Sequence, residues 1–276
     1  MIKMVIFDLD GTLLSSQKEI LKENLEALIQ AQKKGIKVVL ATGRNVLVLD
    51  EIKKQLKLDE FKTGYCIGVN GLQIYDCKTT TLEKLKSLSF EQIKMIKAKA
   101  KKHRFNTIAF SDDCSYISSI GLIGLVLKNK TFIKKIFNKR FDGRLPKAEI
   151  SKYEDGIEDI NKICLLASPR KSTKAIKAEL EEFQFMQVHH GWNEIMLPGI
   201  NKASAILKIL EKENITTDEI AVFGDSENDL EMLKMTKNSY AMGNAMENVK
   251  VVASHVIESH NEPGIAKVLQ EILNLS

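Results

Sequence analysis

Two aspartates one residue apart, Asp8 and Asp10, close the short apolar run Lys3-Met-Val-Ile-Phe7 and are followed by Gly11. Side chains at i and i+2 of a strand face the same way, so both carboxyls would project to one side, and Gly11 lets the chain turn away from them. A second apolar run, Ile36 to Ala41, ends in Thr42-Gly43-Arg44. A hydroxyl, backbone amides ahead of a helix and a guanidinium are what an anion needs. A late run, Ile220 to Phe223, ends in Gly224-Asp225-Ser226-Glu227-Asn228-Asp229, and Lys202 at an expected helix start adds an ammonium. Carboxylates gathered at one edge repel each other unless a cation sits among them, and an oxygen-only donor set favours Mg²⁺. Asp8, Asp10, Asp225 and Asp229 with Thr42, Arg44 and Lys202 therefore describe a magnesium-assisted site for a phosphate.

Each of these motifs alone has a plainer reading. An Asp pair after a strand is an ordinary turn or cap, Thr and Gly are common strand-to-helix punctuation, and acidic residues from Asp225 to Asp229 would suit a helix N-terminus. Three such motifs at successive strand ends of one chain are not explained by capping.

The elements that must position them alternate. Lys3 to Phe7 reads as a strand, Glu19 to Lys34 as a helix, Ile36 to Ala41 as a buried strand, Val46 to Leu58 as a helix and Cys66 to Asn70 as a third strand. The alternation resumes after Asn201: helix Lys202 to Glu213, strand Ile220 to Phe223, helix Glu227 to Lys234, strand Ser239 to Met242, an extended segment Val251 to Ile257 and a closing helix Gly264 to Leu273. Near-continuous apolar strands alternating with amphipathic helices predict an α/β fold, a Rossmann-like parallel sheet covered on both faces, with ligands at the carboxyl ends of its strands.

Between the halves the pattern changes to α+β. Phe90 to Lys102 reads as a helix, Asn106 to Phe110 and Ser115 to Ser118 as paired strands, Ile163 to Ala167 as a strand and Lys171 to Phe183 as a helix. Met186 to His189 and Glu194 to Leu197 read as a hairpin around Gly191. This predicts a core of residues 1–83 and 191–276 interrupted by an inserted domain at 84–190. Those 107 residues hold 22 Lys+Arg against 12 Asp+Glu, a net +10, while the remainder holds 19 against 24, a net −5.

The 276 residues exceed the size at which a single core stops growing, which agrees with two domains. The longest apolar runs, such as Ile120 to Leu127, fall short of the roughly 20 residues that cross a bilayer, so no membrane partner is expected. Asp8 and Asp10 break the apolar stretch that a signal peptide would need, giving a cytoplasmic expectation. Cys66, Cys77, Cys114 and Cys164 show no Cys-x-x-Cys spacing and read as buried thiols. The net charge of +5 and the lack of a basic run interleaved with aromatics argue against a nucleic-acid partner. His189, His190 and Trp192 read as structural or surface residues, and Lys94 to Arg104 as the solvated face of a helix buried through Ile93, Ile96 and Ala100.

The motifs together resemble the haloacid dehalogenase superfamily, in its Cof-type sugar-phosphatase-like branch. Asp8-Leu-Asp-Gly-Thr-Leu13 is similar to the family's first motif, Thr42-Gly-Arg44 to its second, Lys202 to its third and Gly224-Asp-Ser-Glu-Asn-Asp229 to its fourth. Val69-Asn-Gly71, Met196-Leu-Pro-Gly-Ile-Asn-Lys202, Met242-Gly-Asn-Ala245 and Asn261-Glu-Pro-Gly-Ile-Ala266 extend the likeness. The resemblance implies a Mg²⁺-dependent phosphatase with a substrate-specificity cap, acting on a small phosphorylated metabolite as monomer or weak homodimer. Asp8 would be the nucleophile that forms an aspartyl-phosphate, and Asp10 the acid and base. Lys202 would neutralise charge, and Thr42, Gly43, Arg44, Lys202 and Asn228 would bind substrate. Asp8, the Asp10 carbonyl and Asp225 would bind Mg²⁺, with Asn228 and Asp229 orienting that shell. Asp10 favours a phosphatase or a mutase over a dehalogenase or transport ATPase. Two alternatives stay open: phosphomannomutase-like phosphoryl transfer, and a slow-turnover regulator that binds a phosphometabolite.

Overall fold

The computed structural model describes residues 1–112, 115–118, 150–152, 159–166, 171–189 and 192–274. Cys114, the Ile120 to Leu127 run, His190 and Gly191 lie outside the described residues. The chain divides into two compact units, Met1–Leu85 with Ile200–Ser276, and Lys86–Gly199.

The first unit is built on an eight-stranded sheet. Its strands are β1 (Met4–Phe7), β2 (Lys37–Ala41), β3 (Tyr65–Gly68), β4 (Gln73–Asp76), β5 (Thr81–Lys84), β12 (Ile220–Gly224), β13 (Ser239–Ala241) and β14 (His255–Val256), in the order β14-β13-β12-β1-β2-β3-β4-β5. From β14 to β3 every neighbouring pair is parallel, and β4 and β5 add an antiparallel hairpin at the edge. Strand β1 is central and completely buried because its residues alternate between two cores. Val5 and Phe7 pack on the side of α1 (Lys22–Lys33) and α9 (Gly264–Asn274), whereas Met4 and Ile6 pack on the side of α6 (Lys202–Glu213), α7 (Leu230–Leu233) and α8 (Glu247–Val252). This is the expected α/β sheet with both faces covered. Burial on both faces explains why its strands read as unbroken apolar runs.

Local chemistry redraws some elements. The helix expected over Val46 to Leu58 is a 3₁₀ turn, Val46–Val48, then α2 (Asp50–Gln55) and α3 (Leu58–Phe61). Asn45 caps the turn by accepting from Leu47 N, and Lys57 at φ 54° breaks the path between the two helices. The strand expected to reach Asn70 stops at Gly68, where Val69–Gly71 turns sharply with Val69 and Asn70 at positive φ. Val251 to Ile257 is not extended throughout, since α8 runs to Val252 and only His255–Val256 forms a strand. The valine-rich stretch imitates a strand, but Val251 is 84% exposed, and the helix buries only the preceding Val249, on one face.

The second unit carries a six-stranded sheet in the order β10-β11-β9-β6-β7-β8, formed by β6 (Asn106–Phe110), β7 (Ser115–Ser118), β8 (Ile150–Lys152), β9 (Lys162–Leu166), β10 (Gln184–His189) and β11 (Trp192–Met196). All its pairings are antiparallel except β7 with β8. Ile93, Ile96 and Ala100 of α4 (Phe90–Lys102) and Ile176 of α5 (Lys174–Glu179) pack on Ala109, Ile163, Leu165 and Ile195. Helix α5 is shorter than the expected Lys171 to Phe183, as the Ser172 hydroxyl accepts Lys174 N and starts the helix there. A division after residue 190 would cut the β10–β11 hairpin. Strand β11 pairs with β10 and β9, so residues through Gly199 belong to the second unit.

Candidate functional site

Strands β1, β2 and β12 are adjacent and parallel, so their carboxyl ends lie side by side. Asp8 extends the ladder by donating its backbone N–H to Phe223 O at 3.0 Å, and is delivered to the sheet edge with only 4% of its surface exposed. The chain then reverses at Gly11, φ 91°, where a Cβ would stand 2.5 Å from Asp225 Oδ2. The glycine is required twice, by the left-handed backbone and by the carboxylate against it.

Lys202 arrives from the far end of the sequence as the first residue of α6. Asn201 caps that helix, its Oδ1 accepting from Ser204 N at 2.9 Å, while Ser204 Oγ accepts from Asn201 N at 3.1 Å. The Lys202 side chain is fully buried and donates to Asp8 Oδ1 at 2.5 Å and to Asp229 Oδ1 at 2.6 Å. Burial pulls its ammonium down, but Asp229 and Asp8 outweigh that and hold it above the ordinary lysine range. A buried ammonium is tolerable only when paired in this way.

Asp8, Asp225 and Asp229 place carboxylate oxygens within 4.8 Å of one another. Three carboxylates against one ammonium leave two negative charges unbalanced. Burial pushes Asp8 well above the usual carboxylate range, Lys202 opposes that, and Asp229 and Asp225 add to the rise. Burial and then the Asp229 charge push Asp225 up to about 6. Asp8 Oδ2 is buried without a protein hydrogen-bond partner. An orphaned carboxylate oxygen beside a second acid, all-oxygen donors and two unbalanced charges fit a divalent cation. Asp229 serves this cluster by shaping it. Its Oδ1 accepts from Lys202, and its Oδ2 accepts from the backbone amides of Asp225 and Ser226, each at 3.0 Å.

The other expected residues fall into two groups. Thr42 is buried, its Oγ1 accepts from Arg44 N at 3.2 Å, and its carbonyl accepts from Asn70 N at 2.9 Å. Gly43 lies against Asn70, whose Oδ1 would be 3.1 Å from a Cβ there and also accepts from Asn228 Nδ2 at 3.0 Å. Asn228 thus ties the loop after β12 to the turn after β3, and it is Asn70 of that turn that binds the end of β2. Asp10 goes elsewhere. Its carboxylate takes Arg44 Nε on Oδ2 at 2.7 Å, with Arg44 Nη2 and, at 2.9 Å, Lys18 Nζ both on Oδ1. Burial raises this carboxyl, yet Arg44 and Lys18 prevail and keep it below its ordinary range. Its side chain is outside the group of three close carboxylates, and Arg44 binds an acid of the site.

Four residues were not singled out from the sequence. Thr12 donates to Asp225 Oδ1 at 2.9 Å, and Ser226 Oγ donates to Asn228 Oδ1 at 2.6 Å. Asn70 occupies a left-handed turn between two site loops, and Lys18 reaches Asp10. Thr12, Asn70 and Ser226 sit inside quoted motifs, which was a usable signal. Nothing in composition or period marks Lys18.

A family model of haloacid dehalogenase-like hydrolases matches residues 5–269. The chain is 30% identical, over 98% of its length and 95% of the relative's, to the 5-amino-6-(5-phospho-D-ribitylamino)uracil phosphatase YcsE of Bacillus subtilis. It is 22% identical to the pyridoxal phosphate phosphatase YbhA of Escherichia coli, over 97% of each chain. A crystal structure of a haloacid dehalogenase-like hydrolase from Bacteroides thetaiotaomicron superposes with a TM-score of 0.77 at 25% identity, covering 99% of this chain and 100% of that one. A match along nearly the whole chain, on a fold whose sheet edge assembles Asp8, Lys202, Asp225 and Asp229, places the protein: it belongs to the haloacid dehalogenase-like hydrolases, in their Cof-type branch, and is a phosphatase of that superfamily.

Proposed function

We propose that this phosphatase is Mg²⁺-dependent and hydrolyses small phosphorylated metabolites through an aspartyl-phosphate on Asp8. The observation that carries the reading is the Asp8 carboxylate itself, with Oδ1 on the Lys202 ammonium and Oδ2 buried without a protein partner in a cluster with Asp225 and Asp229. Asp8 attacks phosphorus, the bond to the leaving oxygen breaks, and Asp10, which must first take up a proton because Arg44 and Lys18 favour its ionised form, gives that oxygen the proton. Water then attacks the aspartyl-phosphate, surrendering a proton to Asp10 and releasing inorganic phosphate and free Asp8. Lys202 offsets negative charge on nucleophile and phosphate, while Thr42 Oγ1 and the Gly43 amide bind phosphate oxygens. Asp8, the Asp10 carbonyl and Asp225, with Asn228 and Asp229 behind them, would hold Mg²⁺, which when bound would supply charge neutralisation between two anionic reactants.

The substrate class follows from the relatives, whose named substrates are a phosphorylated ribitylaminouracil and pyridoxal phosphate. Sugar phosphates and phosphorylated vitamers are the compounds to screen, with the second unit acting as the specificity cap. Purified protein should release phosphate from p-nitrophenyl phosphate when Mg²⁺ is present, and Asp8→Asn should lose that activity by at least about 10³-fold. A variant as active as the parent would remove Asp8 from the chemistry.

A further inference from the structure

The segment after the first strand folds back on itself. Leu14 bridges Ile20, Ser15 N donates to Glu19 O at 2.9 Å, and Lys18 N donates to Ser15 O at 2.9 Å. At the tip Lys18 adopts φ 66°, a conformation that glycine takes at no cost and a lysine takes at about 1–2 kcal/mol. Its ammonium lies 2.9 Å from Asp10 Oδ1, with both side chains 40% exposed. An ion pair this exposed contributes about 0–1 kcal/mol, too little to justify a strained lysine on stability grounds. Lys57 and Lys62 take the same backbone elsewhere, so what sets Lys18 apart is where its ammonium lies, on a carboxylate of the site.

The flap is also anchored. Ser16 N donates to Asn261 Oδ1 at 2.8 Å, Asn261 Nδ2 donates to Ser16 Oγ at 3.0 Å, and Ser16 Oγ lies 3.1 Å from His260 Nε2. From the same C-terminal loop, His260 N donates to Asn244 Oδ1 at 2.9 Å, and Asn244 Nδ2 donates to Gly11 O at 2.8 Å. The segments Met242 to Ala245 and Asn261 to Ala266 thus hold the loop that carries Asp10 and the flap that carries Lys18 in one frame.

We propose that Lys18 is a positioning residue: with Arg44 it fixes the plane and direction of the Asp10 carboxyl, so that this group meets the oxygen leaving with the alcohol. Lys18 and Arg44 reach Oδ1 and Arg44 reaches Oδ2, from two different loops, a geometry that favours one orientation of the carboxyl. The inference rests on the reading of Asp10 as the acid that protonates the leaving group. A residue serving that step matters in proportion to how much the leaving oxygen needs a proton.

The experiment compares kcat/KM for p-nitrophenyl phosphate, whose leaving group departs readily as an anion, with that for phenyl phosphate, whose leaving group does so poorly. The ratio kcat/KM reports steps up to departure of the alcohol, so later hydrolysis does not enter. Lys18→Met should lose about tenfold more on phenyl phosphate than on p-nitrophenyl phosphate, and Lys18→Arg should recover most of that difference. Asp10→Asn should show the same selectivity, larger. Equal losses on both substrates in Lys18→Met, or none on phenyl phosphate, beside a selective Asp10→Asn would overturn the role of Lys18 and leave that of Asp10 standing. An unselective Asp10→Asn would remove both.

Discussion

Gly11 shows how tightly single residues are specified at this sheet edge. Alanine there would meet a left-handed backbone costing about 1–2 kcal/mol and a Cβ only 2.5 Å from Asp225 Oδ2. Gly11→Ala should therefore lower the melting temperature and cut phosphatase activity more than tenfold, because relief of the contact displaces Asp225 or the Asp8–Asp10 loop. Thermal melts paired with p-nitrophenyl phosphate assays at saturating Mg²⁺ check this, and an unperturbed variant would show that the loop can shift freely. The acids were legible from types and spacing, since strand-end carboxylates have few structural uses in such number. Their division of labour was not. That Asp229 accepts from two backbone amides, and that Arg44 grips Asp10, depend on rotamers that spacing does not encode.

At the scale of elements, period-3.6 and period-2 patterns located α4 and α6 with the bounds they have in the structure, because each starts at a side-chain cap that the sequence announces, Ser89 and Asn201. Elements whose limits depend on distant partners were misjudged. The Val46 turn is held by Gln73 Oε1, which accepts from Val46 N at 3.0 Å from another strand, and the β4–β5 hairpin has no alternating pattern on its exposed edge strand. In the second unit, Glu179 at the end of α5 accepts from Lys102, Lys99 and His103 around the end of α4, and those three bonds hold its carboxyl down at about 2. A carboxyl depressed on folding contributes stability that is complete above its unfolded value of about 4.3 and is lost as pH falls toward about 2. Glu179→Gln should therefore destabilise the protein at neutral pH and flatten its stability profile between those two pH values. Melts at matched ionic strength test it. A variant as acid-sensitive as the parent would mean that other carboxylates govern acid unfolding.

The whole chain is electrically divided. Lys86–Gly199 holds 21 Lys+Arg against 13 Asp+Glu, a net +8, and the catalytic unit holds 20 against 23, a net −3. Raising salt from about 10 mM to about 0.15 M shortens the Debye length from about 30 Å to about 8 Å, so capture of a phosphate dianion by the basic unit should weaken. The expected readout is a several-fold fall in kcat/KM with little change in kcat. Constancy of kcat/KM would make the asymmetry irrelevant to capture. Fold class and the existence of an insertion were legible in the pattern switch, whereas the insertion's exit was misplaced because a strand reads the same whichever sheet adopts it.

The insertion's two junctions meet at one turn. Leu85 N donates to Leu72 O at 2.8 Å, and Gly71 packs so closely on the Asn201 carbonyl that a Cβ there would stand 2.2 Å away. Seen from the catalytic unit, the 114 residues from Lys86 to Gly199 are a single closed loop pinched at its neck. The entropy of closing such a loop grows only with the logarithm of its length, so the neck tolerates inserts of very different size at nearly equal cost. Lys202, one residue beyond the neck, keeps its place whatever is threaded through. If the second unit is the specificity cap proposed above, the architecture would separate inheritance of chemistry from inheritance of taste, and new substrates could be acquired by exchanging what hangs from the neck while the acids of the first unit stay as they are.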